Sequence, residues 1–92
     1  MEFEWDEEKN ASNKDKHNLS FEDAQFAFSD PRRVIAIDRK HSTKKEQRLF
    51  CYGKVHGRIA TVRFTLRENV IRIFGAGYWR EGYAKYQKKN SI

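Results

Sequence analysis

Gln47-Arg48-Leu49-Phe50-Cys51-Tyr52-Gly53-Lys54-Val55-His56-Gly57-Arg58-Ile59-Ala60-Thr61-Val62-Arg63-Phe64-Thr65-Leu66-Arg67-Glu68-Asn69-Val70-Ile71-Arg72-Ile73-Phe74-Gly75-Ala76 reads as three strands joined by two tight turns. His56-Gly57 and Glu68-Asn69 each have the length of a two-residue hairpin loop, and glycine and asparagine tolerate the positive φ such loops need. In a hairpin the turn length sets which residues face each other. Arg67 then faces Val70, Thr65 faces Arg72 and Arg63 faces Phe74. Across the other turn Arg48 faces Thr65, Phe50 faces Arg63 and Tyr52 faces Thr61. One side of the sheet becomes Leu49, Cys51, Val62, Phe64, Leu66, Ile71 and Ile73, an apolar face. The other carries Arg48, Arg63, Arg67 and Arg72 interleaved with Phe50, Tyr52 and Phe74, with Thr65 in the row between Arg48 and Arg72. A slip of one residue in either hairpin would exchange the two faces.

Outward from this stretch, Arg33 to Arg39 reads as a further strand, and His41 to Lys45 as a polar loop. Phe3 to Trp5 is a short strand at the start. Asp6 is a good helix N-cap, and Glu7 and Glu8 suit the positive end of the helix dipole. The helix from Glu7 to His17 has almost no apolar face. Its shared side is Asn10, Asn13, Lys14 and His17, which predicts attachment through hydrogen bonds, with Trp5 and Leu19 anchoring the two ends. Ser20 caps a second helix, with Asp23 placed to complete a weak capping box. Phe21, Ala24 and Phe28 are its core contacts, and Asp30-Pro31 ends it. Arg80 to Asn90 reads as a last helix. The fold class is α+β: an antiparallel sheet of about four to five strands, two N-terminal helices on its apolar face and a C-terminal helix.

Ninety-two residues make a single domain, 1–92, with a thin core to which the aromatics, 14% of the chain, contribute much. There are no repeats and no linker. No apolar run has membrane-spanning length and no basic-then-apolar leader opens the chain, so the expected location is the cytoplasm. Cys51 is the one cysteine and reads as a small buried strand residue. The net charge of +6 points to a polyanionic partner: nucleic acid, an anionic membrane surface or an acidic protein.

His17, His41 and His56 are scattered without metal-ligand spacing, and no Gly-rich phosphate loop or nucleophile elbow is present. The chemistry calls for neither metal nor cofactor. Four arginines on one sheet face repel each other unless something anionic lies among them, and phosphates answer that demand with bidentate geometry. Phe50 and Tyr52 are candidates for stacking on unpaired bases, beside Arg63 for phosphate. The plainer alternative is a solvated face of arginines laid over rings. Metal-free RNA cleavage needs a base for the ribose 2′-OH, an acid for the leaving 5′-oxygen and cations for the added charge. Residues 41–48 supply all three kinds. Glu46 is the first choice of base and His41 the second, while Arg48, Arg67 and Arg72 are the phosphate and transition-state cations. Lys45, Tyr78 and Arg80 are candidates for the acid or for positioning RNA. An ordinary Glu46–arginine ion pair and a structural His41 are the competing explanations.

Phe3-Glu4-Trp5-Asp6-Glu7-Glu8-Lys9-Asn10, Asn13, Lys16-His17, Ser20-Phe21-Glu22-Asp23-Ala24 and Asp30-Pro31 open the chain in an order that resembles the BrnT family of ribonuclease toxins. The resemblance resumes at Asp38-x-x-His41-Ser42, Glu46-x-Arg48, Gly57-Arg58, and Thr65-x-Arg67 followed by Ile71-Arg72-Ile73, and so covers nearly the whole chain. It implies a RelE-like α+β fold, RNA cleavage that arrests translation, and neutralisation by a ribbon-helix-helix, BrnA-like antitoxin through which alone operator DNA is contacted. The chain departs from the family where many members read Ser-Ala-Arg after the Ile-Arg-Ile stretch. Here Gly75-Ala76-Gly77 lacks both the hydroxyl and the guanidinium, which leaves the strength of the implied activity open. A non-catalytic RNA- or DNA-binding domain using the same arginine face is the second hypothesis. A protein-interaction module docking an acidic antitoxin segment is the third.

Overall fold

The computed structural model describes residues 1–91. Strand β1 (Glu2–Glu4) leads into helix α1 (Glu7–His17), then the short helix α2 (Phe21–Ala24) and a 3₁₀ segment (Gln25–Ser29). Strands β2 (Val34–Ile37), β3 (Leu49–Val55), β4 (Arg58–Arg67) and β5 (Val70–Gly77) follow, and helix α3 (Arg80–Asn90) closes the described chain. One five-stranded sheet has the order β1-β5-β4-β3-β2. Its last four strands are antiparallel, but β1 runs parallel to β5, so the sheet is mixed rather than antiparallel throughout. β1 reaches β5 through α1 and then the other strands, and a long connection of this kind permits a parallel edge.

Both two-residue turns form as their sequences dictate. His56, Gly57, Glu68 and Asn69 all have positive φ, which matches the right-handed twist of the flanking strands. The register of β3 on β4 is the expected one, with Phe50 opposite Arg63 and Tyr52 opposite Thr61. On β5 the expected register holds for Val70 and Arg72 and then shifts. Phe64 faces Ile73, while Arg63 faces Gly75 and not Phe74. Phe74 is the extra residue of a bulge, which leaves Phe74 and Gly75 both on the arginine side and returns Ala76 to the core.

The apolar face carries Cys51, Val62, Phe64, Ile71 and Ile73, covered by Leu19, Phe21, Ala24 and Ala27. Leu66, expected among them, is 56% exposed, because the β4–β5 hairpin projects past its covering elements. Phe28 stands edge-on to both Phe64 and Phe3, and Trp5 edge-on to Phe21. The second helix tightens into the 3₁₀ segment where the backbone of Ala27 crosses β3. A Cβ at residue 53 would collide with the Ala27 carbonyl, so only glycine allows that approach. Asp23 does not close a capping box; Ser20 caps its amide, and its carboxylate turns to His56 at 3.1 Å.

α1 is attached by polar contacts. The Asn10 side-chain carbonyl accepts from the Phe21 amide, and its NH₂ donates to Glu7 and Glu22. Asn13 donates to the carbonyls of Leu19 and Ala76 and accepts from the Ala76 amide. α3 crosses the other sheet face over β3 and β4. A Cβ at residue 82 would meet the Thr61 hydroxyl and the Tyr52 ring, so Gly82 is the point of closest approach.

Burial pushes the Cys51 thiol up to about 12. It is fully enclosed and carries essentially no thiolate at neutral pH. Folded protein is expected to resist iodoacetamide at pH 7.5 and to react once unfolded in urea, as read by mass spectrometry; rapid labelling of the native state would contradict this burial.

Candidate active site on the arginine face

The candidate site lies where β3 begins and β4 ends. Loop 38–48 is braced there by its own hydrogen bonds. Ser42 Oγ accepts from the Arg48 amide and donates to the Asp38 carbonyl, and the Asp38 amide donates to the Arg48 carbonyl. The Thr43 amide donates to the Glu46 carbonyl, and Thr43 Oγ1 accepts from the Glu46 amide. A polar run of sequence is thereby held in one conformation next to the sheet.

Glu46 joins two of the four arginines. One carboxylate oxygen accepts from Arg48 Nε at 2.8 Å, and the other from Arg67 Nε at 3.2 Å and Nη2 at 2.8 Å. Hydrogen bonds from Arg67, then Arg48, hold the Glu46 carboxyl below its ordinary value of 4.5. Arg48 also lies flat on the Phe74 ring, 3.9 Å from its centroid. Arg72 stands opposite Thr65, one strand away, and donates to Glu4 at 3.1 Å. Thr65 is buried and donates to the Gln47 carbonyl. Lys45 is exposed beside Glu46 and Arg67 in the same shallow depression.

Arg63 is half-buried, and among the described residues no hydrogen-bond acceptor or carboxylate meets its guanidinium. It borders a groove between α1 and the sheet that also presents Lys9, Lys16, His17, Phe74 and Trp79. An unpaired arginine in a cationic groove is a ready phosphate position.

His41 has Asp38 as its partner, a pairing the sequence offered only as a fragment of the family resemblance. Its Nδ1 lies 2.8 Å from Asp38 Oδ2, and its amide donates to Asp38 Oδ1. Asp38 is buried and His41 half exposed. A carboxylate on Nδ1 fixes the tautomer that leaves Nε2 free to accept a proton. The i,i+3 spacing of Asp38 and His41 was the available signal.

Some expected site residues fall elsewhere. Tyr52 is only 2% exposed, closed off beneath Gly82 of α3; it cannot stack a base, and it stacks on Phe50 instead, at 5.7 Å between ring centres. Phe50 keeps a half-buried ring on this face. Tyr78 and Arg80 lie beyond Gly77, which pairs with Thr61. That is four residues along β4 from the Thr65–Arg72 row, roughly 13 Å. They line a separate cleft, where Arg58 covers the Tyr78 ring at 4.0 Å.

Among the described residues no three His, Cys, Asp or Glu side chains gather in a way that would hold a metal ion. No described helix is long and apolar enough to cross a membrane. No curated protein matches the chain. Residues 5–82 match the family profile described as the ribonuclease toxin BrnT of type II toxin-antitoxin systems. With that match across most of its length, the chain belongs to the BrnT family of ribonuclease toxins.

Proposed function

We propose that this chain is a metal-independent endoribonuclease toxin that cuts RNA through attack of the 2′-OH on the adjacent phosphorus. The observation that carries the reading is the Glu46–Arg48–Arg67 cluster, in which β4 supplies Arg67 and the braced loop that also holds the Asp38–His41 pair supplies Glu46 and Arg48. The arginines supply charge where the pentacoordinate phosphorane develops, and fixed donors cost no reorganisation at that moment. Glu46 holds their forks in place before RNA arrives. With its carboxyl held low by two guanidinium partners, it is ionised at neutral pH but a weak base. The lowered Glu46 carboxyl and the Asp38 partner of His41 support His41 as the proton acceptor and Glu46 as a positioning residue. Lys45 is the candidate donor to the leaving 5′-oxygen. Arg72 and Arg63 bind flanking phosphates. Family membership supports the remaining parts of the reading: arrest of translation, and a ribbon-helix-helix antitoxin of the BrnA kind that silences the toxin.

The test is cleavage of end-labelled single-stranded RNA by purified protein in excess EDTA, with Arg72→Ala beside it. Parent cleavage, reduced about tenfold or more in Arg72→Ala, is the expected result. Binding without cleavage would instead make the chain an RNA-binding member of the family whose catalysis is lost, with Gly75 and Gly77 the first place to look. The pH profile separates the two bases. With His41 as the base, the acidic limb disappears in His41→Asn. A Glu46 base gives a limb below 4.5, because a depressed carboxyl stays ionised until the pH falls through its lowered value.

A further inference from the structure

We propose that the cleft lined by Tyr78, Trp79 and α3 is a second site for the same single-stranded RNA, holding nucleotides well away from the scissile phosphate. The inference rests on the ribonuclease reading and adds an extended substrate to it. The cleft has a volume of about 990 Å³, at the end of the sheet where β3 turns into β4. Its walls are rings: Phe26 and Tyr83 are 56% and 51% exposed, and Tyr78 and Trp79 lie between them.

The charge in the cleft is unbalanced. Arg32, Lys54, Arg58 and Arg80 border it, and none of the four is ion-paired among the described residues. Asp30 is the one carboxylate in the lining. Desolvation raises the Asp30 carboxyl, but bonds from the Arg32 amide, the Tyr86 hydroxyl and the Lys54 amide outweigh it and keep the group below its ordinary value. Its oxygens are thus committed to the fold. Four cations around exposed ring faces suit a chain of phosphates and bases.

Two features favour RNA over an acidic peptide. The wall has a single aliphatic strand residue, Ile59, whereas the exposed aliphatic side chains a peptide would bury, Ile35, Ile37 and Leu66, lie outside it. The cleft also adjoins the groove of Arg63. Trp79 lines both the cleft and the groove holding Arg63 and Phe74, and Arg48 lies on the same Phe74. Trp79 is thus the wall that the cleft and the Arg63 groove have in common. Arg58 at the cleft and Arg67 at the candidate active site are nine residue steps or about 30 Å apart on β4, on opposite faces of the strand, so RNA touching both would round the edge of the sheet. A stacked strand advances about 3.4 Å per nucleotide, so on the order of nine nucleotides reach from end to end.

The experiment measures binding of 2′-O-methyl RNA, which lacks the attacking hydroxyl, as a 5-mer and a 15-mer by fluorescence anisotropy. Parent protein is compared with Arg58→Ala/Tyr83→Ala and, as a second variant, Arg32→Glu; all three side chains are exposed, and circular dichroism verifies folding. The parent is expected to hold the 15-mer more tightly than the 5-mer. In the double variant, 15-mer affinity should fall roughly ten- to a hundredfold, and the salt slope should decrease by about 0.7, since one phosphate is no longer neutralised by an arginine. Arg32→Glu should move both readings in the same direction. Equal 15-mer affinity in parent and variants, with RNA still cleaved by the parent, would overturn the second site and leave the ribonuclease reading standing. Unchanged RNA affinity with loss of antitoxin binding would assign the cleft to the protein partner and also overturn it. A parent that neither binds nor cuts RNA would end both readings.

Discussion

Asn13→Leu is expected to lower the unfolding free energy by about 3–5 kcal/mol, because three buried backbone partners lose their hydrogen bonds at about 1–3 kcal/mol each with partial compensation. Those partners are the Leu19 carbonyl and both polar groups of Ala76. Ala76 faces Val62 on β4, yet its amide and carbonyl turn the other way, toward the side where β1 ends at Glu4. The Asn13 amide bonds there to both groups, as a neighbouring strand would. Leucine fills similar space and offers neither donor nor acceptor. Against a domain stability of about 5–15 kcal/mol, the loss should appear as a fall in Tm of roughly 12–40 °C, at about 4–8 °C per kcal/mol for a chain of this size. Ser12→Ala, one residue away and exposed, should stay within about 0.5 kcal/mol. A melt of Asn13→Leu matching the parent would show that α1 is held by something other than this amide.

The polarity of α1 was visible in its sequence, and so was the need for hydrogen bonds. The identity of the partner was not, because Ala76 lies sixty-three positions away. The turns and the β3–β4 register were legible, since two-residue loops with asparagine or glycine leave little freedom. The bulge was not: Phe74-Gly75 reads as ordinary alternation, and only tertiary packing of Ala76 reveals the extra residue. That one shift moves Arg63 from beside a ring to beside a glycine, where a Cβ would sit at an ordinary 3.6 Å from its guanidinium. The aromatic content of the arginine face was likewise overestimated. Tyr52 alternates correctly onto that side, but α3 crosses there, and hairpin arithmetic says nothing about where a terminal helix will lie. Gly77, part of the departure from the pattern of the resembled family, is a different case again. The Trp79 indole occupies the space a side chain there would take, so any larger residue at 77 would require the tryptophan to move. Of the acid–base candidates, Glu46 was legible with its arginine neighbours, whereas the Asp38–His41 pair needed the folded loop to show which imidazole nitrogen is engaged.

Arg48→Ala is expected to reduce kcat/KM for RNA cleavage by about 10²–10³, the loss typical of removing one preorganised donor from a developing oxyanion. Arg48 is the best fixed of the four arginines. It is half-buried, stacked on Phe74 at 3.9 Å and bonded to Glu46 at 2.8 Å, and its backbone is tied to Ser42. Arg67, half exposed and anchored by Glu46 alone, should cost less. Arg48→Lys keeps the charge but loses the planar fork and the stacking, so it should recover less than half of the lost free energy. Glu46→Gln discriminates between roles. If Glu46 only holds the guanidinium groups, kcat/KM should fall about tenfold, with the acidic limb of the pH profile unmoved. If it takes the proton, the loss should equal that of Arg48→Ala and the limb should vanish. Residues acting as a unit are not additive, so Glu46→Gln/Arg48→Ala should be little worse than Arg48→Ala alone. A folded Arg48→Ala that cuts RNA at the parental rate would place the chemistry away from this cluster, because no other arginine on the face is positioned from as many sides.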